Sequence, residues 1–222
     1  MVSKEATREK LIYAAKEEFK ETGYKGAKVN SIAKRAGIQP SLFYYHFKNL
    51  EDIVLFLYKE MQNQIIHILL DMNITDTVVF LFAVHLCQQR VECCIKEHRR
   101  FAYETTVDIP DLTQKLNQNL EQLWLPYYDS INRQYQISGN SDYITRTIAN
   151  AGERQLMINM YENPLKSTLS REDWQEYADN KVYYCHTLFL RYGAVDSKVI
   201  DEKFSQAKKI ADQIDIDSIH FL

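Results

Sequence analysis

Apolar residues recur three or four positions apart along nearly the whole chain, which is the spacing of one face of an α-helix. The clearest stripe runs from Ile53 through Leu57, Met61 and Ile65. No convincing alternation of apolar and polar residues predicts a β-strand. The 222 residues include only six Gly and four Pro, too few for the many tight turns of a β-sandwich or β-barrel. We therefore predict an all-α fold.

Capping and turn residues divide the chain into about ten predicted helices. Gly23 and Gly37 each follow a helix, where glycine closes the last turn at low cost. Asn49 precedes another helix and is suited to cap its first turn. Pro126 falls inside a helical pattern and predicts a kink or a break. The predicted helices cover residues 5–22, 29–36, 40–48, 50–72, 76–99, 101–107, 111–137, 141–162, 171–192 and 197–214.

Charge is distributed unevenly along the chain. Residues 1–50 carry a net charge of +5, whereas residues 51–222 carry −8. The basic N-terminal part favours contact with a polyanion such as DNA, and the acidic remainder is expected to serve another purpose. We predict two domains, residues 1–49 and residues 50–222, which join within the helix that starts at Leu50 and not through a flexible linker.

The segment Val29–Lys48 has the pattern of a helix-turn-helix. Two short helices are joined by a tight turn at Gly37, and the small side chain of Ala33 lets them approach. The second helix is expected to bury Phe43 and Phe47 and to expose hydrogen-bonding and aromatic side chains, which suit phosphates and base edges. A plain helical corner without DNA binding has the same geometry, so that alternative stays open on the pattern alone.

Three motifs in fixed order, over about residues 6–60, resemble the TetR/AcrR family of transcriptional regulators. The motifs are Leu11-Ile12-x-Ala14-Ala15-x-x-x-Phe19-x-x-x-Gly23-Tyr24, Ile32-Ala33-x-x-Ala36-Gly37-Ile38 and Phe43-Tyr44-Tyr45-His46-Phe47-Lys48-Asn49-x-Glu51-Asp52-Ile53. The resemblance implies three N-terminal DNA-binding helices, including a helix-turn-helix, and a larger C-terminal helical domain for ligand binding and dimerisation. It further implies a repressor that binds a pseudo-palindromic operator as a homodimer and is released by a small-molecule effector.

The resemblance and the side-chain chemistry together predict the DNA-contacting residues. Tyr44 and His46 occupy positions at which the family contacts phosphate or bases, and Lys48 is expected at a phosphate. An amide and a hydroxyl at the start of the second helix suit base edges. Lys28 replaces the Ser or Thr that usually precedes the first of the two helices, exchanging a hydroxyl cap for a positive charge. The complete set is Lys28, Gln39, Ser41, Leu42, Tyr44, Tyr45, His46 and Lys48.

The acidic, aromatic-rich C-terminal part favours an aromatic or cationic effector, held by stacking and cation–π contacts. Four aromatic residues are the candidate ligand contacts: Tyr103, Trp124, Tyr127 and Tyr128. By the resemblance, the helices over 141–162 and 171–192 form the four-helix bundle of the dimer. The candidate dimer contacts are Ile144, Ile148, Trp174, Ala178, Val182, Cys185 and Phe189. Ordinary core packing is the alternative for both sets.

No nucleophile–base pair, metal cluster or phosphate-binding glycine loop indicates an enzyme, and no cofactor is predicted. Cys94 and His98 share a helix face but lack a third metal ligand. The chain has no membrane-length apolar run and no secretion signal, which predicts a cytoplasmic protein without a membrane partner. Two alternatives to the ligand-controlled repressor stay open. One is a helical small-molecule-binding protein or enzyme with a vestigial helix-turn-helix, and the other is a regulator controlled by a protein partner.

Overall fold

The computed structural model describes residues 4–222, except for the side chains of residues 139–142. The secondary structure of this part is entirely helical, which confirms the predicted all-α class. Two short 3₁₀ segments, Lys166–Thr168 and Ile216–Ser218, accompany the α-helices. The α-helices are α1 Lys4–Gly26, α2 Val29–Ala36, α3 Pro40–His46, α4 Leu50–Asp71, α5 Thr77–Cys94, α6 Lys96–Thr106, α7 Pro110–Tyr135, α8 Gly139–Glu162, α9 Arg171–His186, α10 Leu188–Tyr192 and α11 Ser197–Ala211.

The N-terminal helices follow their capping residues closely. The backbone of Gly23 is non-helical (φ 72°, ψ 175°), so the predicted stop after Thr22 is a break inside the longer α1. Gly37 closes α2 in the left-handed conformation, as predicted. The side chain of Asn49 accepts a hydrogen bond from the backbone N–H of Asp52 at 3.0 Å and caps α4, also as predicted. Helix α3 ends at His46, two residues earlier than expected.

The boundary between α5 and α6 differs from the prediction of one helix over 76–99. Helix α5 ends at Cys94, and α6 leaves it at an angle of 108°. Side chains of α6 satisfy carbonyl groups at this end of α5, because Arg99 donates to the carbonyl of Cys93 at 2.5 Å and His98 is 2.8 Å from that of Val91. Such side-chain capping replaces the helical hydrogen bonds that the chain gives up at Ile95.

Two further helix boundaries differ from the prediction. Helix α7 continues through Pro126, so of the kink or break predicted there, the break does not occur. Pro126 and Gln122, whose carbonyl loses its usual helical partner, are both exposed, and water can therefore hydrogen-bond to that carbonyl. The helix predicted over 171–192 is divided at Thr187 into α9 and α10.

One apolar core runs from the N-terminal helices into the remainder of the molecule. Phe19 of α1 packs against Phe101 of α6, with ring centroids 4.9 Å apart. A buried ion pair joins α5 to α9, since the guanidinium of Arg90 donates to both carboxylate oxygens of Asp179 at 2.7 and 2.9 Å. Helix α1 therefore rests directly on the C-terminal helices, which we call the body (residues 50–222).

Within residues 4–222, no single helix is long and apolar enough to cross a membrane. Helices α5 and α6 have that length and composition only as a pair, bent by 108°.

Candidate DNA-binding surface and body cavity

Helices α2 and α3 form the helix-turn-helix that the sequence predicts. The N–H groups of Gly37 and Ile38 donate to the carbonyls of Lys34 and Ala33 at 3.1 and 3.0 Å, which closes α2 tightly. Pro40 then opens α3. Phe43 is completely buried beneath α3, so the opposite side of this short helix points away from the core.

The outward side of α3 presents most of the side chains that we predict to contact DNA. Tyr44 and Tyr45 are 60% and 65% exposed. Leu42 is exposed and therefore does not pack into the core. Of the eight predicted residues, seven are exposed: Lys28, Gln39, Ser41, Leu42, Tyr44, Tyr45 and Lys48. Their exposure makes them available to a partner, and their contact with DNA stays a prediction.

His46 lies differently from the other seven. Its side chain is half-buried, and its Nδ1 is buried without a hydrogen-bond partner. Burial, together with the positive charges of Lys4 and Arg8, lowers the pKa of the imidazole. His46 therefore lies beside the first turn of α1, carries no charge at neutral pH and is less accessible than Tyr44.

The structure adds a basic residue that the sequence analysis did not select. The ammonium group of Lys4 lies 4.9 Å from the centroid of the Tyr45 ring, within the range of a cation–π contact. Its only signal in the sequence is its contribution to the positive charge of residues 1–50. The N-terminus of α1 thus brings a cation to the exposed side of α3.

Polar contacts couple the end of α1 to α6. The backbone N–H of Lys25 donates to Glu104 at 3.0 Å, and the Lys25 ammonium pairs with Asp108 at 2.5 Å. Arg100 holds the other oxygen of Glu104 at 2.8 Å. The approach is so close that a Cβ on Gly23 would lie 2.5 Å from the Glu104 carboxylate. A shift of α6 would therefore displace the end of α1.

The body contains two adjoining cavities between helices α4 to α9. The first has a volume of about 210 Å³ and the second about 240 Å³. They share wall residues, among them Gln88, Gln89 and Glu153. The first is bordered by the aromatic rings of Trp124 and Tyr128, and we call it the aromatic cavity. The second is bordered by Lys181, and we call it the lysine cavity.

Two of the four predicted ligand contacts border these cavities and two do not. Trp124 and Tyr128 line the aromatic cavity. Tyr103 instead stacks on Tyr161 with centroids 3.9 Å apart, and Tyr127 stacks on Phe80 at 5.2 Å. Tyr103 and Tyr127 thus pack against neighbouring rings, which favours the core-packing alternative for them, and a role of any of the four in ligand binding stays a prediction.

Several titratable groups meet at the aromatic cavity. The imidazole of His186 lies 2.6 Å from a carboxylate oxygen of Glu153 and stacks on His85 at 3.7 Å. Burial alone would raise the pKa of Glu153, but His186 and then Lys181 lower it to about 2. Burial and the neighbouring His186 depress the pKa of His85 well below its ordinary value. Glu153 is thus charged and His85 neutral at physiological pH.

The structure corrects most of the predicted dimer contacts. Five of the seven side chains are buried within the subunit, where they pack against their own chain and cannot also form a surface: Trp174, Ala178, Val182, Cys185 and Phe189. Ile144 and Ile148 on α8 are exposed, at 48% and 54%. Tyr184 on the neighbouring α9 is exposed as well, and sequence periodicity does not single it out.

The cysteines and histidines of the described residues do not assemble into a metal site. No group of three or more His, Cys, Asp or Glu side chains is arranged to hold an ion within this part of the chain. The four cysteines are free and buried. Burial raises the pKa of Cys93 to about 12 and that of Cys94 to about 11, so neither is a thiolate at neutral pH.

Comparison with known proteins finds similarity to one family in the N-terminal part of the chain. Residues 11–56 match the profile of the family described as bacterial regulatory proteins, tetR family. A fatty acid metabolism regulator protein of Bacillus subtilis is 45% identical over 56 residues, which are 25% of this chain and 29% of that protein. The chain thus matches less than a third of the length of this relative.

Solved structures share the fold over most of the chain. A transcriptional regulator from Rhodococcus sp. Rha1 aligns with a TM-score of 0.51 over 80% of this chain and 95% of its own. A protein from Mesorhizobium loti, described as a TetR-family transcriptional regulator, aligns with a TM-score of 0.51 over 86% of this chain and 98% of its own. Both are 17% identical, so the likeness is one of fold alone.

Proposed function

We propose that the chain is a TetR-family transcriptional regulator, since its N-terminal residues match the profile of that family, and that it is a homodimeric repressor that releases its operator when a small molecule binds the body. TetR-family proteins are regulators and not enzymes, so an enzyme with a vestigial helix-turn-helix is not retained. In this proposal residues 1–49 bind DNA, residues 50–222 bind the effector and the second subunit, and the protein acts in the cytoplasm.

The exposed side of α3 is the observation that carries the proposal. Tyr44 and Tyr45 leave most of their aromatic surface in water, although the same helix buries Phe43 completely. The B-DNA major groove is about 12 Å wide and admits a helix. Tyrosine hydroxyls and the Lys48 ammonium suit phosphates, and the Gln39 amide suits an adenine edge.

Exposed apolar residues of α8 and α9 support the homodimer. Ile144 and Ile148 lie one turn apart on α8, and Tyr184 is exposed on α9, which packs against α8. Scattered exposed apolar residues are ordinary, but neighbouring ones on adjoining helices favour an interface. A two-fold dimer would present two copies of α3 about 34 Å apart, one turn of DNA.

Continuous structural elements support the response to an effector. Helix α4 begins beside α3 and carries Gln62 into the aromatic cavity. Helix α6 carries Thr106 to the lysine cavity and Glu104 to the end of α1. An effector would release DNA if it binds more tightly to a dimer whose two α3 helices are spaced wrongly for the operator. The coupling free energy between effector binding and DNA binding is typically about 1–3 kcal/mol.

The name of the Bacillus subtilis relative supports control of metabolic genes as the role of this chain. Three quarters of the present chain lie outside that match. The walls of the cavities, and not the name of this relative, therefore indicate the chemistry of the effector.

Selection from a random double-stranded DNA library tests the proposed function without assuming where the operator lies. The chain should enrich an inverted repeat, and hydroxyl-radical footprinting on it should show two protected segments about one turn apart. Failure to enrich any sequence over the starting library would contradict the proposal. Enrichment of a single half-site with one protected segment would contradict the proposed homodimer.

A further inference from the structure

Lys181 is a buried cation whose ammonium group makes no hydrogen bond or close ion pair with the part of the chain that the structure describes. Its side chain is 3% exposed and borders the lysine cavity. Among the atoms that the structure describes, no carboxylate lies within 4.0 Å of its ammonium group and no acceptor forms a hydrogen bond with it. Burial lowers the pKa of Lys181, but nearby negative groups, Glu153 and Glu92 among them, raise it, so the group is charged. A buried ammonium needs acceptors for its three N–H groups, and the cavity is the space where they can bind.

Gln62 presents the opposite requirement at the aromatic cavity. Its amide nitrogen donates to Gln88 at 3.1 Å, and the amide nitrogen of Gln88 donates to Glu92 at 2.9 Å. Since the carboxylate at the end of this relay accepts, both amides are oriented as donors toward it. The carbonyl oxygen of Gln62 is then left buried and without a donor, and that of Gln89 is in the same condition. Both residues line the aromatic cavity.

The walls of the aromatic cavity also suit a cation. Trp124 supplies an aromatic surface, and the negative charge of Glu153 lies in the wall shared with the lysine cavity. The guanidinium of Arg146 already lies over the ring of Tyr128, 5.2 Å from its centroid, which shows that this wall accepts a cation. Aromatic faces and carbonyl oxygens attract ammonium groups. The two adjoining cavities therefore differ in what their walls leave without a hydrogen bond, which is two carbonyl oxygens in the aromatic cavity and the Lys181 ammonium group in the lysine cavity.

We propose that the effector is a compact zwitterion of the amino acid type, with its ammonium group at Gln62 and Gln89 in the aromatic cavity and its carboxylate at Lys181 in the lysine cavity. At about 30 Å³ per water molecule, the aromatic cavity alone has room for about seven waters, or a small metabolite. A long acyl chain would fit poorly, because it would bury Lys181 and both glutamine oxygens without hydrogen bonds. Because it identifies an effector, this inference rests on the proposed function. Binding of the zwitterion to the chain can nevertheless be measured without DNA.

Thermal unfolding of the full chain tests the inference with defined probes. The proteinogenic L-amino acids are each added at millimolar concentration, and every amino acid that raises the unfolding midpoint is compared with its decarboxylated amine and its N-acetyl derivative. A ligand present at 100 times its Kd should raise the midpoint by roughly 5–10 °C, and the two derivatives should not. Palmitoyl-CoA is added in parallel as a probe with a long acyl chain. The inference is wrong if no amino acid stabilises the chain, if a derivative stabilises it as much as its amino acid does, or if only palmitoyl-CoA stabilises it.

Substitution of Lys181 gives a second, independent result. Lys181→Met keeps the length of the side chain and removes its charge, so it should abolish stabilisation by the amino acid. It should also lower the unfolding midpoint of the free protein, because the buried carboxylates of Glu153 and Glu92 lose the positive charge beside them. Lys198→Met, at an exposed lysine of α11, should change neither quantity. If Lys181→Met does not fold, Gln62→Met serves instead. The amino acid should no longer raise the unfolding midpoint of Gln62→Met, and the N-acetyl derivative should raise it in neither protein.

The inference and the proposed function can fail separately. Enrichment of an operator with no amino acid binding would refute the zwitterion and leave the regulator. Amino acid binding that depends on Lys181, without enrichment of any DNA sequence, would refute the regulator and leave the zwitterion site.

Discussion

His85 is a buried base whose surroundings keep it neutral. It stacks on His186 and lies 3.5 Å from the hydroxyl of Tyr128. The pKa of His85 is depressed well below 6.5 in the folded chain, so the unfolded chain binds a proton at a higher pH than the folded one. The contribution of neutral His85 to stability is therefore complete above about pH 6.5 and is lost as the pH falls below it.

We expect this linkage to appear in the stability of a variant that cannot titrate. Between pH 7.5 and pH 5.5, the wild-type chain should lose about 1.4 kcal/mol more free energy of unfolding than His85→Asn. Urea denaturation at the two pH values measures the difference. Equal losses in the two proteins would show that His85 takes up a proton in the folded chain as readily as in the unfolded one, and would contradict its lowered pKa.

Helix α1 is interrupted at Gly23 because it must approach α6 closely. The backbone angles of Gly23 lie in a region that only glycine adopts at low cost, and Glu104 occupies the space where a Cβ would stand. We expect Gly23→Ala to lower the free energy of unfolding by more than the roughly 1–3 kcal/mol of backbone strain, as measured in urea. Gly37→Ala is the comparison for a positive φ alone, since Gly37 has ordinary left-handed angles (φ 69°, ψ 32°) and open space around it. An equal or smaller effect at Gly23 would show that α1 and α6 are not tightly coupled.

The elements whose ends are marked by local residues are the ones that sequence predicts well. Helix α2 has the predicted bounds because its turn depends on Gly37, a neighbour in sequence. The end of α5 was not predictable in this way, because its carbonyls are satisfied by Arg99 from the next helix. The cavities were only partly predictable for the same reason. Nothing near Lys181 in the sequence marks it as buried, and its surroundings are assembled from helices far apart along the chain.

At the scale of the whole molecule, the proposed dimer depends on the exposed apolar residues of α8 and α9. Ile148→Asp places a charge there and should convert the dimer to a monomer at micromolar concentration, as measured by sedimentation equilibrium. Leu70→Asp is the matched control, because Leu70 on α4 is 53% exposed and Ile148 is 54% exposed. A wild-type monomer, or a dimer that survives Ile148→Asp, would contradict this interface.

The central claim is that the exposed side of α3 binds operator DNA, and its most direct measurement is the affinity of Tyr44→Ala for the selected inverted repeat. Tyr192→Ala serves as the control, since Tyr192 is 64% exposed on α10 and Tyr44 is 60% exposed. Fluorescence anisotropy should show at least tenfold weaker binding for folded Tyr44→Ala and unchanged binding for Tyr192→Ala, because about 1.4 kcal/mol corresponds to a factor of ten. Equal affinities for the two variants and the wild-type chain would show that DNA does not bind at α3.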